Sequence, residues 1–220
     1  MRKIIGAVFV SLDGVIQAPG GPTEDWTGGF AHGGWLPPFD DDEVGKTIGT
    51  LFDGPFDLLL GRRTYEIFAA YWPYAEGHPI GVAFDAAAKY VVTHRDAPLE
   101  WQNSHRLADI DAVAALKASD GPDLVIQGSS TLYPQLLAAG LIDRLVLLTF
   151  PVVLGPGKRL FGEGTPALTL TLASHVVSPK GVVIATYEPA GAVETGSFIG
   201  PDPSDLEQAR QAKMKREDDW

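Results

Sequence analysis

The stretch Asp123-Leu124-Val125-Ile126-Gln127-Gly128-Ser129-Ser130-Thr131-Leu132 decides the fold. Its first half is a short apolar run rich in β-branching, the composition of a strand buried on both faces. Gly128 breaks the run. From Thr131 to Ala139 the spacing of Leu132, Leu136 and Leu137 changes to a helical period, and Gly140 stands where a helix stops. Working outward, the same buried-strand pattern recurs at Ile4 to Val10 and at residues 57–61, 89–93 and 144–150, so residues 123–128 are one of five expected central strands. Helical segments lie between them, one starting at Asp109 and Asp111 and running through Val113, Leu116 and Lys117. This alternation predicts an α/β fold, a mainly parallel sheet flanked by helices. The end departs from it. Leu168 to Val177 and Val182 to Glu188 are strand-like and joined by Ser178-Pro179-Lys180-Gly181, a hairpin turn, so the sheet is expected to be mixed, with an antiparallel C-terminal hairpin.

Residues 1–189 read as one domain. Residues 190–220 read as a linker and polar tail, with Pro189 to Pro203 as the connecting stretch and Asp205 to Trp220 as a solvated or helical end. Residues 17–42, rich in Gly, Pro, Trp and Asp, are too long for an ordinary connection and suggest a lid over a site. With 17 Lys and Arg against 28 Asp and Glu, the net charge is −11. That balance argues against non-specific nucleic-acid or anionic-membrane binding, which needs a basic face. The chain holds no cysteine, so it has no disulfide, thiolate nucleophile or cysteine-ligated metal. Its early apolar run of seven residues reads as a strand rather than a leader, no stretch is long enough to span a bilayer, and the cytoplasm is the expected location.

Three strand ends carry anion-friendly residues. At Gly128-Ser129-Ser130 the glycine permits close backbone approach and the hydroxyls and helix start offer donors to a phosphate, although a plain serine-capped turn would look the same. At Gly61-Arg62-Arg63-Thr64, two cations begin a helix, where they are unfavourable unless an anion is present. At Thr93-His94-Arg95, a hydroxyl, an imidazole and a guanidinium follow one another. Ligands gather at the carboxyl ends of the strands of such sheets, and three such ends are better explained together. No G-x-G-x-x-G follows the first strand and no P-loop occurs. Gly155-Pro156-Gly157-Lys158-Arg159 has no helix signal after it and reads as a tight turn.

These segments, with Ser11-Leu12-Asp13-Gly14 after the first strand and the run from Leu141-Ile142-Asp143-Arg144-Leu145 to Pro151-Val152-Val153-Leu154-Gly155, resemble the dihydrofolate-reductase-like superfamily. The branch is the one shared with the C-terminal reductase domain of bifunctional riboflavin-biosynthesis proteins. The resemblance implies NADPH along the strand ends. Ala7, Gly14 and Ile16 would lie by the nicotinamide; Gly61, Arg62, Arg63 and Thr64 at the phosphates; Thr93, His94 and Arg95 at the 2′-phosphate; Gly128, Ser129, Ser130, Thr131 and Leu132 at the pyrophosphate. It also implies a homodimer, to whose interface the strand from Arg144 to Phe150 would contribute.

On the substrate side, Asp13 and Asp42 are the expected catalytic carboxyls, and Trp26, Trp35 and Phe39 are the aromatics expected to stack on a flat heterocycle. No metal is required. The expected activity is NADPH-dependent reduction of a small planar pterin- or pyrimidine-like molecule. The alternatives are the riboflavin-pathway reduction of a ribosylamino-pyrimidine and a non-catalytic nucleotide-binding protein.

Overall fold

In the computed structural model, which describes residues 1–198, 200 and 202–216, β1 (Ile4–Ser11) lies inside the sheet with six of its eight residues buried. Around it stand β2 (Phe56–Gly61), β3 (Lys89–Val92), β4 (Ser104–Leu107), β5 (Asp123–Ile126), β6 (Arg144–Phe150), β7 (Thr169–Val177) and β8 (Val183–Gly191). They form an eight-stranded sheet in the order β4-β3-β2-β5-β1-β6-β8-β7. The pairs from β4 to β6 are all parallel, while β6·β8 and β8·β7 are antiparallel. The mixed α/β sheet with a C-terminal hairpin is therefore the fold, and parallel pairing sets the carboxyl ends of β1, β2, β3 and β5 along one edge.

Six α-helices are found among the described residues: α1 (Asp42–Leu51), α2 (Arg62–Ala69), α3 (Pro79–Ala86), α4 (Ile110–Ala118), α5 (Leu132–Ala138) and α6 (Asp205–Arg216); the first five flank the sheet, and α6 buries no residue. Residues of α4 and α5 (Val113, Tyr133, Leu136) pack with Ile4, Val8, Leu59 and Ile126 on one face. Helices α1 to α3 cover the other. Val44 packs there with Val146 and Leu148, and Tyr65 and Phe84 with Ala7, Leu58 and Leu60. Local chemistry starts the helices. The side chains of Asp41 and Asp109 accept from the backbone N–H groups of Val44 and Ala112, and Pro79 occupies the first turn of α3, where no N–H is needed. Pro134 sits likewise in the first turn of α5, and Gly140, at φ 64°, follows its end.

Three expectations need adjustment. Edge strand β4 has no apolar run, because its Ser-His-Arg-Leu face is largely wet. Strand β8 runs on to Gly191, taking in Pro189 at the start of the expected linker. Pairing with β6 ends at Tyr187, so the missing N–H of Pro189 breaks no bond on that side. Strand β6 is paired on both sides, by β1 and β8, so its edges are not open to a second subunit; the outer strand on that side is β7. Within the expected linker and tail, residues 199, 201 and 217–220 lie outside the described residues.

Candidate functional site

Along the carboxyl edge runs a cleft of about 1760 Å³. An ordinary ligand pocket is roughly 300–1,000 Å³, so this one has room for a dinucleotide and a second small molecule. Its floor is the strand ends. The turns after β2, β3 and β5 bring Gly61 to Thr64, Thr93 to Arg95 and Gln127 to Leu132 into one wall, and Val8, Phe9 and Ile16 come from β1 and the loop after it. Of the residues expected at a site, Ile16, Trp26 and all those of the three strand-end motifs line this cleft.

Two of these turns are pinned to each other. The backbone N–H of Gly61 donates to Ser129 Oγ (2.9 Å), and the N–H of Ser129 donates to Thr64 Oγ1 (2.9 Å). Ser129 Oγ also donates to the Gln127 carbonyl (3.3 Å). Both Gly128 (φ 59°) and Ser129 (φ 58°) are left-handed, a conformation that is costly for serine and open to glycine. A Cβ at Gly128 would meet Thr64 at 3.2 Å, which is the physical demand for glycine there. The hydroxyls of Ser129 and Thr64 therefore hold the cradle together, leaving Ser130 and Thr131 as the hydroxyls at its mouth.

The cations divide in the same way. Arg62 is engaged within the protein: Nε donates to Glu66 (2.6 Å), Nη1 to the Ala97 and Pro98 carbonyls (3.2 and 3.4 Å), and the guanidinium lies over the Tyr65 ring. Arg63 reaches, among the described residues, only Thr27 Oγ1, at 3.4 Å. Thr93 Oγ1 accepts from the N–H of Arg95 (3.1 Å), which shapes the turn and leaves exposed His94 and Arg95 with their side chains toward the cleft. Arg63, His94, Arg95, Ser130 and Thr131 thus form an available cation and hydroxyl set suited to a phosphorylated dinucleotide.

The long loop of residues 17–42 divides in two. Its first part, from Gln17 to Thr27, rims the cleft and is tied down from both sides. Gln17 Nε2 donates to the Asp25 and Thr27 carbonyls (3.0 and 2.9 Å), and Gln17 Oε1 accepts from the N–H of Lys158 (3.0 Å). The Lys158 ammonium pairs with Asp25 and donates to Thr27 Oγ1. Burial opposes ionisation of Asp25, but Lys158, the Thr27 hydroxyl and the Thr27 N–H outweigh it and lower its pKa. Glu24 goes the other way: burial raises its pKa, the N–H groups of Gly20 and Gly21 offset part of this, and the neighbouring Asp25 charge adds to the rise. Sequence reading passed over Glu24 and Lys158. The expected tight turn at Gly155 to Arg159 is a bend at Pro156 and Gly157, and folding carries Lys158 just after it to the cleft.

The second part of the loop is core. Trp35 is buried, stands edge-on to Phe150 and donates from Nε1 to the Gln17 carbonyl (2.8 Å), while Phe39 packs edge-on to the same ring. Neither lines the cleft, because both rings are turned onto Phe150; of this part of the loop Leu36 reaches it. Ala7 also lies away from it. It is buried beside Leu58 and Leu60, and the cleft begins with the next two residues of β1, Val8 and Phe9, nearer the strand's carboxyl end.

Asp13 and Gly14 close the turn after β1. The Asp13 carboxylate accepts from Ser11 Oγ (2.6 Å) and from the N–H groups of Leu154 (3.1 Å) and Gly155 (2.8 Å). The Ser11 hydroxyl is the largest influence; with these N–H groups it outweighs burial and holds Asp13 at a pKa of about 2, too acidic to keep a proton for delivery. Gly14, at φ 85°, donates to the Ser11 carbonyl. Asp42 is exposed in the first turn of α1, on the far side of the loop core, and does not reach the cleft. Neither proposed catalytic carboxyl is therefore at the site.

A mainly parallel sheet with a long strand-end cleft, one wall of it cationic and hydroxylic, is the arrangement in which α/β folds gather their ligands. The relatives make this specific. Residues 2–184 match the RibD C-terminal domain, and the chain belongs to that family. It is similar to the uncharacterised proteins YyaP and YwjB of Bacillus subtilis strain 168, each 27% identical; the matches cover 84% and 78% of this chain and 94% and 89% of theirs. Its fold is that of a putative riboflavin biosynthesis protein from Shewanella sp. PV-4 (TM-score 0.65, 22% identity, 86% of this chain and 99% of that one). It is also that of a pyrimidine reductase-like protein from Corynebacterium diphtheriae (TM-score 0.57, 16% identity, 86% of this chain and 92% of that one). No helix among the described residues is long and apolar enough to cross a membrane.

Proposed function

We propose that this protein is an NADPH-dependent reductase of a small planar heterocycle. The observation that carries the reading is one cleft uniting the three strand-end turns with Arg63 and Arg95, neither paired with a carboxylate among the described residues, in a chain of the RibD C-terminal domain family. The donor set fits the cofactor: Ser130 and Thr131 lie where the pyrophosphate would pass, and His94 and Arg95 where a 2′-phosphate would end. Bound there, NADPH supplies the hydride. The protein's own part is to bind and orient both molecules and to keep water out, with Val8, Phe9, Ile16 and Leu36 giving an apolar surface and the residues from Gln17 to Thr27 a rim.

Riboflavin-pathway reduction of a phosphorylated ribosylamino-pyrimidine is the second reading, favoured by the fold shared with the putative riboflavin biosynthesis protein of Shewanella. It needs a further cation for the substrate's phosphate, and Lys158 and Arg62 are already paired with Asp25 and Glu66. A homodimer joined through the exposed apolar side chains Leu172, Val176 and Val177 of β7, and working in the cytoplasm, completes the proposal.

Titration calorimetry with NADPH and NADH tests it. NADPH is expected to bind more tightly than NADH, and Arg95→Ala to erase about 1.5–3 kcal/mol of that preference, the usual weight of a charge-assisted hydrogen bond. Equal binding of the two cofactors by the unmodified protein refutes the role given to Arg95, and no binding of either refutes the reading as a whole.

A further inference from the structure

The cleft walls carry five carboxylates, from Glu24, Asp25, Glu66, Asp109 and Asp111. Four are accounted for. Asp25 is paired with Lys158 and Glu66 with Arg62; Asp109 caps α4, and Asp111 lies exposed in that helix's first turn, where its charge suits the helix dipole. Glu24 differs from all of them. Only its Oε2 is engaged, by the N–H groups of Gly20 (2.7 Å) and Gly21 (3.2 Å), and no hydrogen bond of Oε1 is found among the described residues. The charged groups packed around its loop are Asp25, Lys158 and Arg63. Lys158 is spent on Asp25 and Thr27, and Arg63 reaches Thr27 rather than Glu24. No cation, then, is set to hold Glu24 ionised, and it shares the rim with apolar Ile16, Pro19 and Leu36.

Resting on the reductase reading, we infer that Glu24 is the acid that meets the substrate, and that the substrate class is a flat heterocycle reduced at a C=N bond. Such a reduction needs a hydride at carbon, supplied by the cofactor, and a proton at nitrogen. The Glu24 carboxyl provides the proton. Its O–H bond breaks, an N–H bond forms with the electron pair released from the C=N π bond, and the carboxylate regains a proton from water. The two backbone N–H groups on Oε2 fix the carboxyl plane and leave Oε1 to the ring. The raised pKa, which comes from burial and the Asp25 charge, suits a group that must hold its proton closer to neutrality than an ordinary glutamate. The Lys158–Asp25 pair is part of the same device, since it keeps a negative charge beside Glu24 while occupying the cation that would otherwise lower its pKa.

Two measurements on the full chain test this. In carbon-detected NMR of the cofactor-free protein, the carboxyl signal lost in Glu24→Gln should titrate above the ordinary glutamate value of about 4.3. In fluorescence titration with NADPH present, 2,4-diamino-6,7-dimethylpteridine, whose amidine edge donates to a carboxylate, should bind Glu24→Gln roughly 10- to 100-fold more weakly than the unmodified protein. Glu24→Asp, which keeps the acid but draws it back, should fall between. Unchanged NADPH affinity in both variants is expected, since Glu24 stands apart from the phosphate wall, and shows that the cleft is intact. If the pteridine binds Glu24→Gln as well as the unmodified protein, or binds neither while NADPH binds both, or if Glu24 titrates with the other glutamates, the assignment is overturned. Failure of the unmodified protein to bind NADPH overturns the reductase reading instead.

Discussion

Replacing Ser129 by alanine removes one oxygen atom and tests whether the β2–α2 and β5–α5 turns are a single structural unit. Ser129 is 8% exposed, and its hydroxyl is the acceptor for the backbone N–H of Gly61. In Ser129→Ala that N–H has no replacement acceptor and little access to water. A buried donor left without a partner costs about 1–3 kcal/mol. Backbone strain does not enter this difference, because serine and alanine suffer alike at φ 58°. Ser129→Gly separates the two effects: it loses the same hydroxyl but relieves roughly 1–2 kcal/mol of left-handed strain, offset by about 0.5–1 kcal/mol of extra chain entropy in the unfolded state. Glycine should therefore be the milder of the two.

The companion variant is Thr64→Val, which removes the acceptor for the Ser129 N–H. Because both bonds close the same pair of turns, the double variant Ser129→Ala/Thr64→Val should fall short of the sum by about 0.5–3 kcal/mol. Urea unfolding reads the stabilities, and NADPH titration reads the cradle, which should weaken in step with them. A Ser129→Ala protein within about 0.5 kcal/mol of the unmodified one, the level of an ordinary surface change, would refute the argument that these hydroxyls hold the turns. So would strict additivity in the double variant.

Asp13 is expected to be a structural acid. Its pKa is depressed to about 2 from an ordinary 3.8, so its contribution to stability is complete above the ordinary value and is lost as pH falls through about 2. Asp13→Asn should lower the urea midpoint at neutral pH, lessen the loss of stability between about pH 4 and 2, and leave NADPH affinity intact; a variant as stable as the parent at pH 7 contradicts the bonds to Leu154 and Gly155. Lys158→Met keeps the stem but strands Asp25, and hydrogen exchange should quicken across residues 23–29 while β1 and β5 stay protected. Exchange unaltered in that segment would mean that Gln17 alone holds the rim.

The central strands were legible from sequence because parallel strands are buried on both faces, so their composition is nearly all apolar; their order in the sheet came only with the structure. Strand β4 was not legible, since an edge strand with a wet face looks like a loop. The three strand-end motifs were legible for a related reason: each is local, a glycine or hydroxyl next to a strand and a helix start, and the parallel sheet brings all such ends to one edge. Trp35 and Phe39 misled because aromatic composition is the same for a stacking platform and for a core plug. Asp13 misled because its partners at Leu154 and Gly155 are more than a hundred residues away along the chain.

The sequence by itself determined the α/β class, the antiparallel end and the phosphate-friendly turns, all matters of residue type over short windows. Tertiary structure alone decided which hydroxyls face inward, which cations are already paired, and that Glu24 and Lys158 stand on the cleft. Those outcomes depend on contacts such as Lys158 with Asp25 that span most of the chain, and on burial, which shifts a carboxyl's proton affinity only after distant segments have closed around it.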